Sequence, residues 1–118
     1  MTREFVRLPE FEKQCKHIGL SEDDIREIEN FLLSNPAVGK IMRGTGGVRK
    51  FRIALSLSDK GKSGGARVVY IDFTRYEKIY MLTIFAKSET DNLTQAERNE
   101  LKALTKILEY ELEKRGRK

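Results

Sequence analysis

Lys50 and Arg52 stand one residue apart in the run Val48-Arg49-Lys50-Phe51-Arg52-Ile53-Ala54-Leu55. In an extended chain alternate side chains share a face, so this pattern predicts a strand with Phe51 and Ile53 on an apolar side and Lys50 and Arg52 on a cationic side. Arg67 opens a second β-branched and aromatic run that continues to Phe73, and Lys87 ends a third that begins at Ile79. Ammonium and guanidinium groups held on strands neutralise phosphate oxygens, and they stabilise the charge that builds there when a phosphodiester is attacked. RNA carries its own nucleophile, the 2′-hydroxyl. A protein acting on it has only to align that oxygen with the adjacent phosphate, hold the phosphoryl group and move protons. Arg and Lys suit the first two tasks, and a Lys, Glu or Tyr with a shifted pKa suits the third.

Between the first two runs lies Asp59-Lys60-Gly61-Lys62-Ser63-Gly64-Gly65. Gly61-Lys62-Ser63 is the ending of a phosphate-binding P-loop, but that motif needs a glycine five residues earlier and a helix immediately after. Ser56 occupies the first position and a strand pattern follows the loop, so both requirements fail. The stretch reads as a cationic, glycine-rich connection between strands.

The charge is unevenly placed. Arg43, Arg49, Lys50, Arg52, Lys60, Lys62 and Arg67 face one acid, Asp59, between positions 43 and 67, while the whole chain carries a net charge of +5. Such clustering points to a polyanionic partner, because Lys and Arg release counterions from phosphates. A chain of 118 residues is expected to be one domain, spanning 1–118. Its one cysteine, Cys15, and one histidine, His17, provide neither a disulfide nor a Cys/His zinc cluster, so no metal and no cofactor are expected. No run reaches membrane-span length and Met1-Thr2-Arg3-Glu4 lacks a signal-peptide pattern, so a cytoplasmic protein is expected.

The elements that must position these residues follow from periodicity. Phe5–Leu8 reads as a strand and Glu10–Ile18 as a helix stopped by Gly19. Ser21 and Asp24 have capping-box spacing ahead of a second helix, whose inner face is Ile25, Ile28, Phe31 and Leu32 and which ends at Asn35-Pro36. Gly44-Thr45-Gly46-Gly47 turns the chain into the cationic strand. Thr94 and Glu97 cap a closing helix, with Leu101, Leu104, Ile107, Leu108 and Leu112 facing inward. The expected class is α+β, a small antiparallel-dominated sheet of about four strands packed with helices in the order β-α-α-β-β-β-α.

Three blocks carry a family resemblance: Gly44-Thr45-Gly46-Gly47-Val48-Arg49-Lys50-Phe51-Arg52, Gly61-Lys62-Ser63-Gly64-Gly65-Ala66-Arg67-Val68-Val69-Tyr70, and Leu82-Thr83-Ile84-Phe85-Ala86-Lys87. Together they resemble the RelE/HigB family of bacterial toxins, in particular a HigB-like branch with the double-glycine loop. The resemblance implies a RelE-like fold and a ribosome-dependent mRNA endonuclease, a metal-independent mRNA interferase that inhibits translation. It also implies mRNA and ribosomal RNA as partners, together with a cognate antitoxin, HigA-like and carrying a helix-turn-helix domain. By position it assigns Arg67 to the scissile phosphate, Lys50 and Lys87 to the catalytic set, and Arg49, Arg52, Lys60 and Lys62 to RNA binding. Where RelE-type sites place a further arginine, this chain has Glu89, which leaves Lys87 or Glu89 to handle a proton.

Other readings use the same residues. A non-catalytic RNA- or DNA-binding module needs the same cations, because binding and cleavage share phosphate contacts. A partner-binding protein would use its apolar helix faces. Arg67 could instead pair with Asp72 or Glu77, Tyr70 and Tyr80 fit as ordinary sheet residues, His17 as an exposed helix residue and Cys15 as a half-buried one.

Overall fold

The computed structural model describes residues 2–54, 65–86 and 93–116. The chain runs β1 (Glu4–Arg7), α1 (Pro9–His17), α2 (Glu22–Ser34), β2 (Lys40–Ile41), β3 (Arg49–Ile53), β4 (Ala66–Phe73), a single 3₁₀ turn (Thr74–Tyr76), β5 (Lys78–Ala86) and α3 (Gln95–Gly116). The α+β class expected from the sequence is the one observed, with one strand more than expected. Among the described residues five strands form a single sheet in the order β1-β5-β4-β3-β2. The addition is β2, whose two residues are too few to show a periodicity. β1 lies parallel to β5 and the other pairs are antiparallel, so the sheet is mixed.

Both faces of the sheet are covered, because β4 and β5 are apolar on both sides. On one face Val68, Tyr70, Met81 and Ile84 pack with Phe11 and Cys15 of α1 and with Ile25, Ile28 and Leu32 of α2. On the other, Val48, Val69, Ile71, Leu82 and Phe85 pack with Leu112, and Leu101, Leu104 and Leu108 close over them from α3. Ser21 Oγ accepts from the Asp24 backbone N–H at 3.1 Å, and the Asp24 carboxylate accepts from the Ser21 N–H at 2.8 Å. Thr94 and Glu97 repeat this box at the start of α3, at 3.1 and 2.9 Å. Both starts therefore form where the sequence signals them.

Two apolar residues depart from their expected places. Ile107 is 58% exposed on the outer side of α3, because the inner stripe of that helix runs through Leu101, Leu104, Leu108 and Leu112. Phe31 is 40% exposed and stacks on Phe51 at 5.6 Å between ring centroids, at the rim of the core.

Candidate nucleic-acid interface

The register of the sheet decides which cations share a surface. Residues directly opposite each other in a ladder point to the same side. Lys40 of β2 faces Lys50 of β3, Lys50 faces Val69 of β4, and Arg52 faces Arg67, which faces Phe85 of β5. Val69 and Phe85 belong to the α3 side of the sheet, so Lys40, Lys50, Arg52 and Arg67 lie on that side too. Lys40 and Arg52 are exposed and Lys50 is half-buried. This is the cationic face that the Lys50/Arg52 alternation predicts, enlarged by Lys40. The sequence hid Lys40 because the strand that carries it, β2, is only two residues long.

Arg67 sits differently from its neighbours. It is 1% exposed, at the floor of the face rather than on it. Asp72 lies on the opposite side of β4 and is held by Arg3, whose Nε and Nη2 donate to its two carboxylate oxygens at 2.7 and 3.2 Å. Glu77 follows the far end of β4, where its carboxylate accepts from the Thr2 hydroxyl at 3.3 Å. Neither acid suggested by sequence therefore stands beside Arg67. Arginine is a permanent cation, so the face has a fixed positive charge beneath it.

Arg49 turns the other way. Its Nη1 donates to the Gly39 carbonyl at 2.6 Å and more weakly to Ala37 at 3.4 Å. The Tyr70 hydroxyl donates to the Pro36 carbonyl at 2.7 Å and accepts from the Gly39 N–H at 3.1 Å, and burial pushes its phenol above the ordinary value of 10. Arg49 and Tyr70 thus fasten the chain between α2 and β2 onto the sheet. Tyr80 is buried against Phe73, His17 is exposed on α1 and Cys15 is fully buried rather than half-buried. Lys60, Lys62, Lys87 and Glu89 lie outside the described residues.

The turn from β2 into β3 builds one wall of a cleft at the edge of the face. Gly44, Gly46 and Gly47 all have positive φ, at 79°, 82° and 113°, a conformation that side chains with a Cβ rarely adopt. Thr45 at their centre is fully buried, and its hydroxyl donates to the Met42 carbonyl at 2.7 Å and accepts from the Val48 N–H at 3.1 Å. Two bonds then attach the turn to α3: Thr105 Oγ1 donates to the Thr45 carbonyl at 3.2 Å, and Arg98 Nη1 donates to the Arg43 carbonyl at 2.8 Å. Arg43, Lys50 and Arg98 converge on the resulting open cleft of about 640 Å³. Arg98 is a residue that sequence reasoning missed, since it lies outside the basic window, 55 positions after Arg43, and only the docking of α3 brings it there. A second cleft, about 520 Å³, lies between the sheet and α3; it is apolar, lined by Leu82, Phe85, Leu101 and Leu104. No group of three or more His, Cys, Asp or Glu suited to a metal ion occurs among the described residues. No described helix is long and apolar enough to cross a membrane.

Comparison with known proteins follows the fold. A family model described as the RelE toxin of the RelE / RelB toxin-antitoxin system matches residues 10–115. The intact E. coli RelBE toxin-antitoxin complex contains a chain that is 14% identical, with a TM-score of 0.53, over 77% of this chain and 100% of that one. A double mutant of E. coli toxin RelE in the free state is 17% identical, with a TM-score of 0.50, over 91% and 99%. The archaeal RelE–RelB complex from Pyrococcus horikoshii OT3 gives 19%, 0.50, 76% and 100%. At these identities the structures share the fold with this chain.

Proposed function

The chain belongs to the RelE toxin family of toxin-antitoxin systems, and from that membership and its cationic face we propose that it is a ribosome-dependent mRNA endonuclease that inhibits translation. The observation that carries the proposal is the register that puts Lys40, Lys50, Arg52 and Arg67 on one side of adjacent strands. The substrate is an RNA strand laid across that face. Its 2′-oxygen attacks the adjacent phosphorus, the bond to the 5′-oxygen breaks, and the products end in a 2′,3′-cyclic phosphate and a 5′-hydroxyl. Lys50 and Arg52 hold the phosphoryl oxygens, while the buried charge of Arg67 lowers the energy of the pentacoordinate state from below. Lys87 or Glu89 moves the proton, and Lys60 and Lys62 grip the backbone; this part of the proposal rests on the resemblance alone. Arg49, engaged with backbone carbonyls on the opposite side, acts by positioning β3.

The partner is an antitoxin that covers the cationic face or blocks entry to the ribosome. The RelE chains of E. coli and P. horikoshii are each in complex with RelB. The double-glycine loop and basic window favour the HigB-like branch, with a HigA-like, helix-turn-helix antitoxin. A non-catalytic RNA-binding role is the second reading, and the burial of Arg67 favours it, because binding needs only the exposed cations. Product termini test the reaction: mRNA cut on ribosomes should carry 5′-hydroxyl ends. Ends bearing a 5′-phosphate would contradict attack by the 2′-hydroxyl, and salt-sensitive RNA binding with no cleavage would support the second reading.

A further inference from the structure

The cleft between the Gly44–Gly47 turn and the start of α3 has a use that the cationic face alone does not supply. Arg43, Lys50 and Arg98 converge there, and no carboxylate is among the described residues that line it. The nearby acid Glu97 is diverted, since its Oε1 accepts from the Thr94 N–H as part of the helix cap. The walls are set before any ligand arrives, because the Arg98–Arg43 and Thr105–Thr45 bonds hold the turn against the helix. Leu93 and Gln95 add an apolar patch and an amide to the same wall. At about 640 Å³ the cleft lies within the roughly 300–1,000 Å³ typical of small-ligand sites. Lys50 is common to both surfaces, so the cleft continues the face. Beside it Lys40 stands directly across from Lys50, so the basic surface runs on from the cleft to β2.

We propose that this cleft is a nucleotide subsite for the same RNA strand, flanking the reacting phosphate, with Arg43 and Arg98 on the flanking phosphate and Gln95 within reach of the base. The inference rests on the RNA reading of the face and extends it to residues outside the basic strand.

Binding separates it from catalysis. A short single-stranded 2′-O-methyl RNA oligonucleotide, which lacks the attacking hydroxyl, is titrated with wild-type protein and with Arg43→Gln and Lys50→Gln by fluorescence anisotropy across a salt series. Arg43→Gln is the clean variant, since Arg98 bonds the Arg43 carbonyl and not its side chain. It should weaken binding several-fold and reduce the slope of log K against log salt by about 0.7, the value for one single-strand phosphate contact. Its thermal unfolding should match wild type. If Lys50→Gln shows that loss and Arg43→Gln does not, the subsite is overturned and the face stands. If Arg43→Gln leaves oligonucleotide binding intact but weakens binding to vacant ribosomes, the cleft grips ribosomal RNA and the substrate subsite is overturned. Failure of wild-type protein to bind the oligonucleotide at any salt also overturns the subsite, whereas mRNA cleavage on ribosomes would still uphold the enzymatic reading.

Discussion

A cation at the floor of a site acts through its charge, and the residues around it decide whether that charge reaches a ligand. Arg67 is the second residue of β4, just past Gly65, which brings the chain into the strand. Gly65 has φ +62°, and a Cβ there would stand 2.1 Å from the Ile53 carbonyl oxygen. Gly65→Ala should therefore displace the head of β4 and lower stability by about 1–3 kcal/mol, read as a shift in the chemical denaturation midpoint together with loss of RNA binding. Tyr70→Phe removes one hydroxyl that serves both Pro36 and Gly39. It should cost about 1–3 kcal/mol, the penalty of leaving buried polar groups unmet, measurable by the same unfolding curves. Cys15 is 2% exposed, and burial pushes its thiol up to about 12. Alkylation at neutral pH should be slow in the native protein and fast in denaturant, since the thiolate is the reactive form. Fast native labelling would show that α1 does not stay docked. The sequence carried the identities of the cations but not their depth: Arg67 reads like Arg52 in one dimension, and only coverage of both sheet faces sends one under the surface.

Elements are joined here by a few bonds whose pH response has a definite sign. Arg7 of β1 donates to Glu29 and Glu22 of α2, at 2.8 and 3.0 Å, and its hydrogen bond holds Glu22 below the ordinary 4.5. Lys78 of β5 does the same to Glu4 across the parallel pair. A depressed carboxylate contributes stability above its unfolded pKa and loses it as pH falls through the lower folded value. Stability should thus be level near neutrality and fall below about pH 4.5. In Glu22→Gln that fall should be shallower in an acid titration followed by circular dichroism. Both capping boxes and four of the five strands were legible, because each leaves a local pattern. The two-residue β2 left none. Ile107 misled because its spacing fits an apolar stripe, while the side of α3 that meets the sheet runs through Leu101, Leu104, Leu108 and Leu112.

At the scale of the whole molecule, two core layers support one charged surface. The apolar content of β4 and β5 requires helices on both faces, and α3, in covering the second face, carries Arg98 to the Gly44–Gly47 turn. The order of elements and the class of fold followed from periodicity. Lys50, Arg52 and Arg67 were named from the sequence, but Lys40 and Arg98 were not, because their places depend on register and on a helix that starts about fifty residues after Arg43. The central claim is that this surface cuts RNA held on the ribosome. The most direct measurement maps 5′ ends on a defined mRNA, free and on translating ribosomes, with wild-type protein and Arg52→Ala, whose exposed side chain can be removed without opening the core. The account predicts cleavage on ribosomes only, reduced about tenfold to a hundredfold or more by Arg52→Ala, in keeping with loss of one phosphate-stabilising charge. Cleavage unchanged in a folded Arg52→Ala protein, or intact mRNA in every lane with wild type, would contradict it.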